Sequence, residues 1–368
     1  MRILVTGANG FIGKTLLVRL AEEGGFDVDG FTRADHAAAL PAMVAAVDAI
    51  VHLAGENRPA DPAAFMDVNG GLTAALCDAV RAGGRPVPLI FTSSIQAERD
   101  NPYGTSKRAG EEAVANLADM PGQSCTIFRL PNVFGKWCRP DYNSAVATFC
   151  HNIARGLPIR VDNPAAPLTL VYVDDVANRL IDTLRAAMPG LHWATVDPVY
   201  TTTVGEVADM IQAFHHSRET LTTERVGAGL VRALYSTYVS YLPTAEFSYS
   251  VPVHGDARGV FVEMLKTSDS GQFSYFTAHP GITRGGHYHH SKTEKFLVIK
   301  GHARFGFRHI LTGEYHSLET SGDAPQIVET VPGWSHDITN IGDDEMIVML
   351  WANEIFDRDR PDTIARSV

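Results

Sequence analysis

The sequence is short of cysteine, of positive charge and of long apolar runs, and each shortage argues against a class of protein. Four cysteines among 368 residues stand without CxxC spacing, so a disulfide framework and a cysteine-bound zinc site are both unexpected. Lysine and arginine number 31 against 42 acidic residues, a formal charge of −11, which argues against nucleic acid and anionic membranes as partners. The sequence contains no apolar run of bilayer-spanning length. We therefore expect a soluble, cytoplasmic protein.

The chain is too long for one ordinary hydrophobic core, which predicts two domains. Up to about Pro243, apolar runs alternate with helical patterns, which is typical of the Rossmann-like α/β fold, a doubly wound parallel sheet with helices on both faces. Beyond it, short β-rich pieces separated by glycine turns indicate a small antiparallel barrel or sandwich. The aperiodic stretch at 243–250 marks the boundary. We predict an α/β domain over 1–243 and an all-β domain over 247–368.

The stretch "TGANGFIG" places three glycines between a predicted strand and a helical pattern. In a dinucleotide-binding turn, Gly7 permits the tight turn, Gly10 lets the backbone approach the pyrophosphate, and Gly13 lets the helix pack on the strand. A glycine-rich turn without a ligand is the alternative. Further residues of the predicted cofactor site are Asn9, Phe11 and Ile12 of the same turn, Leu53 and Ala54 of "VHLAG", and Tyr103 and Lys107.

The second predicted strand ends in "GFTRAD", with Arg33 at a place where NAD-binding folds usually carry an acidic residue. An arginine there can neutralise a 2′-phosphate, whereas an aspartate would repel it. A solvated surface arginine is the alternative. We predict NADPH as the cofactor, with Arg33 at its 2′-phosphate.

The stretch "PYGTSK" contains Tyr103 and Lys107, which are four residues apart and therefore share one face of a helix. A lysine ammonium close to a phenol lowers the pKa of the phenol, and the hydroxyl of Ser94 can hold a carbonyl oxygen. A surface tyrosine–lysine pair is the alternative, because this spacing is common by chance. Combined with the glycine turn, these residues predict a catalytic site.

These motifs, with "FRLPNVFG" and "VYVDDVA", follow the order found in the extended short-chain dehydrogenase/reductase family that acts on nucleotide sugars, and residues 1–243 resemble that family. The resemblance implies that Ser94 positions a substrate carbonyl and Tyr103 donates the proton. It also implies that Lys107 holds the nicotinamide ribose while tuning Tyr103. Asn132, in "FRLPNVFG", is then expected in the substrate site.

The carboxyl-terminal part contains three spaced histidines and a glutamate. His287 and His289 would face the same side of a strand. Glu294 can arrive from the neighbouring strand after a turn, and His336 from a distant one. Three imidazoles and a carboxylate suit zinc or another divalent metal. The alternative is a metal-free domain in which a histidine serves as a base.

The spacing of these residues from Gly281 to Gly301 resembles the first cupin motif, and "VPGWSHDITN" resembles most of the second. This resemblance implies a jelly-roll cupin domain that binds a metal through His287, His289, Glu294 and His336.

Two further stretches, "DARGVFVE" and "TRGGHYH", resemble the sugar-nucleotide epimerases that make dTDP-rhamnose. That resemblance implies that Arg258, Phe261 and Glu263 bind substrate and that His287 is the proton-abstracting base. The two resemblances compete for His287, because one Nε2 cannot hold a metal and abstract a proton. We favour metal ligation, since three other ligands complete the set, and the base is then unassigned.

The order of the two halves resembles the bifunctional capsule and O-antigen enzymes (CapF/WbjC type) of UDP-N-acetyl-L-fucosamine synthesis. The resemblance implies a UDP-sugar substrate, a homodimer and two steps. The cupin would invert C3 of a UDP-4-keto-6-deoxy-HexNAc, and the reductase would then reduce C4. The alternatives are a reductase or epimerase whose cupin only binds a ligand or stabilises a dimer, and a nucleotide sensor without catalysis. An intact Tyr103–Lys107 pair speaks against the sensor.

Overall fold

The computed structural model describes residues 1–256, 259–262, 265, 271–354 and 359–368; for residues 253–256, 259–262 and 272–274 it describes the backbone alone. The chain forms two compact units. One comprises residues 1–144 and 167–202, and the other comprises residues 145–166 and 203–368. The predicted division of the sequence into domains 1–243 and 247–368 stays a prediction.

The first unit is built on a six-stranded sheet in the order β2-β1-β3-β4-β5-β8, paired in parallel throughout. Strands β6, β7 and β9 form a smaller sheet. The strands are β1 Arg2–Thr6, β2 Asp27–Phe31, β3 Ala49–His52, β4 Leu89–Ser94, β5 Ser124–Leu130, β6 Asn132–Phe134, β7 Pro167–Tyr172, β8 Gly190–Ala194 and β9 Val199–Thr203. The predicted Rossmann-like sheet is confirmed.

Helices cover both faces of this sheet. Among the described residues, the α-helices of the first unit are α1 Phe11–Glu23, α2 Leu40–Ala45, α3 Ala63–Phe65, α4 Thr73–Ala82, α5 Pro102–Ala118 and α7 Val173–Arg185, and those of the second unit are α6 Ala145–Ile153, α8 Val204–Thr220 and α9 Gly229–Ser240. Ile3 and Val5 of β1 belong to the apolar core beneath α1 and α7, whereas Leu4 belongs to the core beneath α4. Successive strand residues point to opposite faces, so a strand covered on both sides reads as a continuous apolar run.

The second unit contains two five-stranded sheets, in the orders β10-β18-β15-β20-β13 and β17-β16-β19-β14-β21, and the hairpin β11–β12. Its strands are β10 Ser248–Ser250, β11 Val253–Asp256, β12 Gly259–Val262, β13 Gln272–Ala278, β14 Thr283–Tyr288, β15 Glu294–Lys300, β16 His302–His309, β17 Tyr315–Ser321, β18 Gln326–Glu329, β19 Trp334–Asn340, β20 Met346–Ala352 and β21 Ile364–Ala365. The pairings resolved in these two sheets and the hairpin are antiparallel. The predicted all-β cupin fold is confirmed.

Aromatic side chains fill the space between the two sheets. Phe296 of β15 and Phe305 of β16 are buried, with 5.7 Å between their ring centroids. The ring of Phe296 also lies 6.4 Å from that of His336 on β19. The predicted metal ligand His336 therefore packs against an aromatic side chain of the core.

Helices α8 and α9 of the second unit are joined to its sheets by a buried charged cluster around Glu329. Lys295 of β15 forms an ion pair with Glu329 of β18, and Tyr235 of α9 donates a hydrogen bond to it at 3.2 Å. Arg218 of α8 lies 3.6 Å from the same carboxylate. Burial opposes ionisation of Glu329, but the two cations hold its pKa below the ordinary value. Removal of one partner would leave a buried charge uncompensated.

Within the part of the chain that the structure describes, none of the helices combines the length and apolar character that crossing a membrane requires.

Candidate active site and metal centre

The glycine turn after β1 is sterically dense. Gly7 has a φ of 71°, and a Cβ there would lie 2.7 Å from the backbone nitrogen of Ala54. A Cβ on Gly13 would lie 2.3 Å from the carbonyl oxygen of Gly7. Gly10 is the residue before α1, so the free N–H groups of the first helical turn open next to this loop and suit a phosphate.

The loop after β3 is fixed against the glycine turn by a chain of buried hydrogen bonds. Thr6 Oγ1 lies 2.6 Å from His52 Nδ1, and His52 Nε2 lies 2.8 Å from Thr73 Oγ1. The Thr73 hydroxyl donates to the carbonyl oxygen of Asn69. Nε2 of His52 must therefore donate to Thr73, and Nδ1 must accept from the Thr6 hydroxyl. The oxygen of that hydroxyl in turn accepts from the backbone N–H of Ala54. Burial, followed by the charge of Lys107, lowers the pKa of His52 to about 3, so this imidazole is neutral.

Asn69 holds the continuation of the same loop. Its side-chain amide donates to the carbonyl oxygen of Glu56 and accepts from the backbone N–H of Glu56, both at 2.9 Å. The amide also donates to Ser106 Oγ, whose hydroxyl donates to the carbonyl oxygen of Tyr103. One buried asparagine thus connects the predicted cofactor loop to helix α5.

Arg33, predicted to contact the 2′-phosphate, pairs with Glu56. The guanidinium lies 2.7 Å from the carboxylate, and the Arg33 side chain is 85% exposed whereas that of Glu56 is 13% exposed. Tyr142 donates to the other oxygen of Glu56 at 2.7 Å. Burial raises the pKa of Glu56, but the hydrogen bonds from Tyr142 and from the backbone of Arg58, with the charge of Arg33, bring it below the ordinary value.

Ser94 and Tyr103 are brought together by the end of β4 and the start of α5. Asn101 caps α5 by accepting from the backbone N–H of Gly104 at 2.8 Å, and Pro102 occupies the first helical position. Burial raises the pKa of Tyr103, and the nearby Ser94 hydroxyl offsets only part of that effect. The phenol is therefore protonated at neutral pH, which is the form that can donate a proton.

Lys107 lies one turn further along α5 and is buried. Its ammonium donates to the carbonyl oxygen of Thr92 at 3.2 Å. Burial lowers the pKa of Lys107 to about 8, against the opposing charge of Glu111. The pKa of Tyr103 is raised overall because burial is the larger effect, and the tuning of Tyr103 by Lys107 stays a prediction.

The structure describes only some of the predicted substrate-binding residues. Asn132 begins β6, and its amide donates to the carbonyl oxygen of Thr169 at 3.1 Å. The backbone of Phe261 lies in β12, opposite that of His254. Arg258 and Glu263 lie outside the described residues.

An open groove of about 420 Å³ runs beside the start of α5. Pro62, Phe65 and Met66 line one part of it, and Asn101 and Pro102 line another. The ring of Phe65 lies 5.6 Å from the ring of Tyr103. The groove therefore lies near Tyr103.

The structure brings the four predicted metal ligands together. One potential ligand atom from each of His287, His289, Glu294 and His336 lies within 4.8 Å of the others. His287 on β14 is paired directly with His336 on β19, after an irregularity in the register that begins at Gly285. His289 follows the end of β14, and Glu294 is the first residue of β15.

The protonation of these side chains fits a divalent cation. His289 Nδ1 hydrogen-bonds the carbonyl oxygen of Asp362, which directs the lone pair of Nε2 towards Glu294 Oε2 at 3.1 Å. Neither ring nitrogen of His336 has a hydrogen-bond partner among the described residues, although the ring is buried. A neutral imidazole and a carboxylate that face each other both need a cation or a proton between them.

The pKa shifts agree with this conclusion. Burial, followed by the neighbouring His336 and His289, lowers the pKa of His287 to about 4, and burial also lowers that of His336. Burial opposes ionisation of Glu294, but His289 and Lys292 help to hold its pKa well below the ordinary range. Neutral imidazoles and an ionised carboxylate are the forms that bind metal.

Each half of the chain matches a known protein family. Residues 3–192 match the NAD dependent epimerase/dehydratase family, and residues 254–364 match the polysaccharide biosynthesis C-terminal domain. The first match spans more than half of the chain. The chain belongs to the NAD dependent epimerase/dehydratase family. Membership of this family supports a nicotinamide cofactor in the glycine-turn site.

Relatives of this family member extend the likeness over the whole chain. A Pseudomonas aeruginosa protein named UDP-2-acetamido-2,6-beta-L-arabino-hexul-4-ose reductase is 60% identical over 368 residues, covering 100% of this chain and 99% of the relative. The crystal structure of the capsular polysaccharide assembling protein CapF from Staphylococcus aureus is 38% identical, with a TM-score of 0.66 and full coverage of both chains. Thermus thermophilus UDP-glucose 4-epimerase in complex with NAD is 22% identical, covers 58% of this chain and 83% of its own, and has a TM-score of 0.51, which shows the fold alone.

Several residues of both sites were not predicted from the sequence of this family member. His52, Asn69 and Glu56 support the cofactor loop, while Lys292 and Asp362 surround the metal ligands. Lys292 is buried, and its ammonium lies 2.9 Å from Glu294 Oε1. For Lys292, the only signal in the sequence is its position between two predicted metal ligands.

Proposed function

We propose that this chain is a bifunctional nucleotide-sugar enzyme that inverts and then reduces a UDP-linked 4-keto sugar. The cupin epimerises a UDP-4-keto-6-deoxy-HexNAc at C3, and the reductase site then reduces the C4 ketone with NADPH. The product is UDP-2-acetamido-2,6-dideoxy-L-talose. The observation that carries the proposal is the presence, in one chain, of the Ser94–Tyr103 pair and the His/Glu cluster. The name of the 60% identical relative agrees with a UDP-hexul-4-ose as substrate.

The reduction assigns a separate task to each side chain around Tyr103. The bound nicotinamide supplies the hydride. Ser94 donates a hydrogen bond to the carbonyl oxygen, and Tyr103, kept protonated by burial, passes its proton to that oxygen as the carbon accepts the hydride. Lys107 holds the nicotinamide ribose, and its charge then stabilises the phenolate that remains. Hydrogen bonds that strengthen as the oxygen gains charge favour the transition state over the bound ketone.

The choice of NADPH rests on Arg33. The guanidinium extends into solvent beside the cofactor loop and is held by Glu56. A 2′-phosphate carries more charge than the Glu56 carboxylate and can accept two hydrogen bonds from the same guanidinium. The cofactor would therefore compete with Glu56 for Arg33.

The inversion belongs to the cupin centre. A hydrogen on a carbon next to the C4 ketone is acidic, so it can be removed from C3 and returned to the opposite face. His287, His289, Glu294 and His336 would hold a zinc-like ion, which supplies Lewis-acid stabilisation when bound. His287 is assigned as a ligand rather than as the base, because His289, Glu294 and His336 complete a set of four ligand atoms with it.

The proposal is tested by running the reaction in deuterated water. The full chain is incubated with UDP-4-keto-6-deoxy-HexNAc, with and without NADPH, and the products are analysed by NMR. We expect deuterium at C3 of both the ketone and the alcohol, with inverted configuration in the alcohol. A reduced product with the original C3 configuration and no deuterium would refute the inversion step.

A further inference from the structure

We propose that Asp362 is a positioning residue for the metal centre, because its side chain and its backbone fix the loop that carries two of the ligands. The loop runs from His289 to Glu294, between β14 and β15. This inference rests on the proposed metal site and goes beyond it, since Asp362 lies outside the ligand set and near the end of the chain.

The Asp362 carboxylate hydrogen-bonds three consecutive backbone N–H groups of the loop. Its Oδ1 accepts from the N–H of His290 at 2.9 Å, and its Oδ2 accepts from those of Ser291 and Lys292, both at 2.7 Å. The Ser291 hydroxyl also donates to Oδ2, at 3.1 Å. One carboxylate thus accepts hydrogen bonds from all of these donors, and it thereby fixes the path of the loop.

The backbone of Asp362 acts on a ligand directly. Its carbonyl oxygen is hydrogen-bonded to Nδ1 of His289. This contact sets the tautomer of His289, so the lone pair of Nε2 is directed at the cluster. The carboxylate and the carbonyl together determine the orientation of His289 relative to Glu294, whose oxygen lies 3.1 Å away.

Asp362 is itself held in place. Two residues later, β21 pairs with β14, with Ile364 opposite Tyr288 and Ala365 opposite His287. The Asp362 side chain is only 16% exposed, and the guanidinium of Arg232 on α9 lies 4.0 Å from it. The carboxyl-terminal segment therefore serves as a fixed support for the metal loop.

The test measures metal binding by the full-length protein, with the metal alone as probe. Asp362→Ala removes all four side-chain acceptor contacts. Asp362→Asn keeps the shape, but it places an NH2 donor against at least one loop N–H. Asp343→Asn, at an exposed position in the turn between β19 and β20, is the matched control. Zinc affinity is measured by competition with a chromogenic chelator, ligand geometry by the absorption spectrum of the cobalt-substituted protein, and folding by circular dichroism.

We expect Asp362→Ala to weaken zinc binding by about 10- to 100-fold, as removal of the residues that orient metal ligands commonly does, and to change the cobalt spectrum. Asp362→Asn should change both in the same direction, and Asp343→Asn neither. A folded Asp362→Ala protein with zinc affinity within about twofold of the wild type, and an unchanged cobalt spectrum, would overturn the proposal. If only Asp362→Ala fails to fold, Asp362→Asn decides by the same criteria.

If both variants fail to fold, the carboxylate maintains the fold rather than the site, and the proposal is wrong. Failure of the proposed function has a different signature, because the wild-type protein itself would then bind neither zinc nor cobalt at the cluster. The spectrum separates positioning from general stabilisation, since a folded protein with undisturbed ligands has an unchanged spectrum.

Discussion

Arg33 and Glu56 form an ion pair with 2.7 Å between the guanidinium nitrogen and the carboxylate oxygen, at the place where the 2′-phosphate of NADPH is expected. The pair is largely exposed on the arginine side, so it contributes little to stability. On the proposed binding of NADPH, the 2′-phosphate and Glu56 would compete for this one cation.

Exchange of the charge at position 33 should change cofactor preference. We expect Arg33→Asp to lower the ratio of kcat/KM for NADPH to that for NADH at least tenfold, about 1.4 kcal/mol of discrimination. Glu56→Gln should raise that ratio, because the competing charge is removed. Steady-state kinetics with both cofactors measure it, and Tyr142→Phe controls for the lost hydrogen bond to Glu56. A wild-type protein that prefers NADH tenfold would contradict the assignment.

Removal of the Tyr103 hydroxyl should stop reduction and leave inversion almost intact. In Tyr103→Phe the carbonyl oxygen has no proton donor, so we expect a loss of NADPH oxidation of about 100-fold or more, as for other positioned acids. Deuterium exchange into the ketone should continue at nearly the wild-type rate. Tyr275→Phe, at an exposed position of β13, is the control. Loss of exchange in Tyr103→Phe would contradict the assignment of the two steps to different sites.

The cluster should bind about one zinc-like ion per chain, by the ligand count. We expect His336→Ala to lose most of the metal, since its imidazole is one of four ligands. His302→Ala, which changes an exposed histidine of the same unit, should retain it. Elemental analysis of the purified proteins provides the measurement. A metal-free wild-type preparation with full epimerase activity would return His287 to the role of base.

Acid should destabilise the first unit through His52. The pKa of this histidine is about 3 in the folded chain and about 6.5 when unfolded. Between these values the unfolded chain binds the extra proton, so stability is present above about pH 6.5 and falls as the pH drops towards 3. His52→Gln should reduce the slope of Tm against pH in this window, and the exposed control His36→Gln should not. Equal slopes for all three proteins would contradict the buried neutral state.

Local patterns in the sequence predicted the fold class and the grouping of the four candidate metal ligands. The alternation of buried strand and helix around Gly7 and Gly13 is a feature of neighbouring residues, so a single sequence displays it. The spacing from His287 to Glu294 is equally local, and the pairing of β14 with β19 adds His336 to the cluster.

The supporting residues could not be predicted in the same way, because their partners are distant in sequence. Asp362 contacts His289 across 73 positions, and no periodicity records that contact. Lys295 and Glu329 look like surface charges of alternating strands, yet they are buried together beneath α8 and α9. The periodic spacing of apolar residues predicts that a helix exists. It does not predict the sheet on which the helix packs, because that depends on pairs of residues that are far apart in the sequence.

The proposed function requires that the cupin inverts the ketone before the reductase site accepts it. The most direct test follows NADPH oxidation and product configuration in the His336→Ala protein, supplied separately with the original ketone and with the C3-inverted ketone. We predict that the variant reduces the inverted ketone at nearly the wild-type rate and forms no inverted alcohol from the original one. If His336→Ala converts the original ketone into the same product as the wild type, the cupin does not perform the inversion.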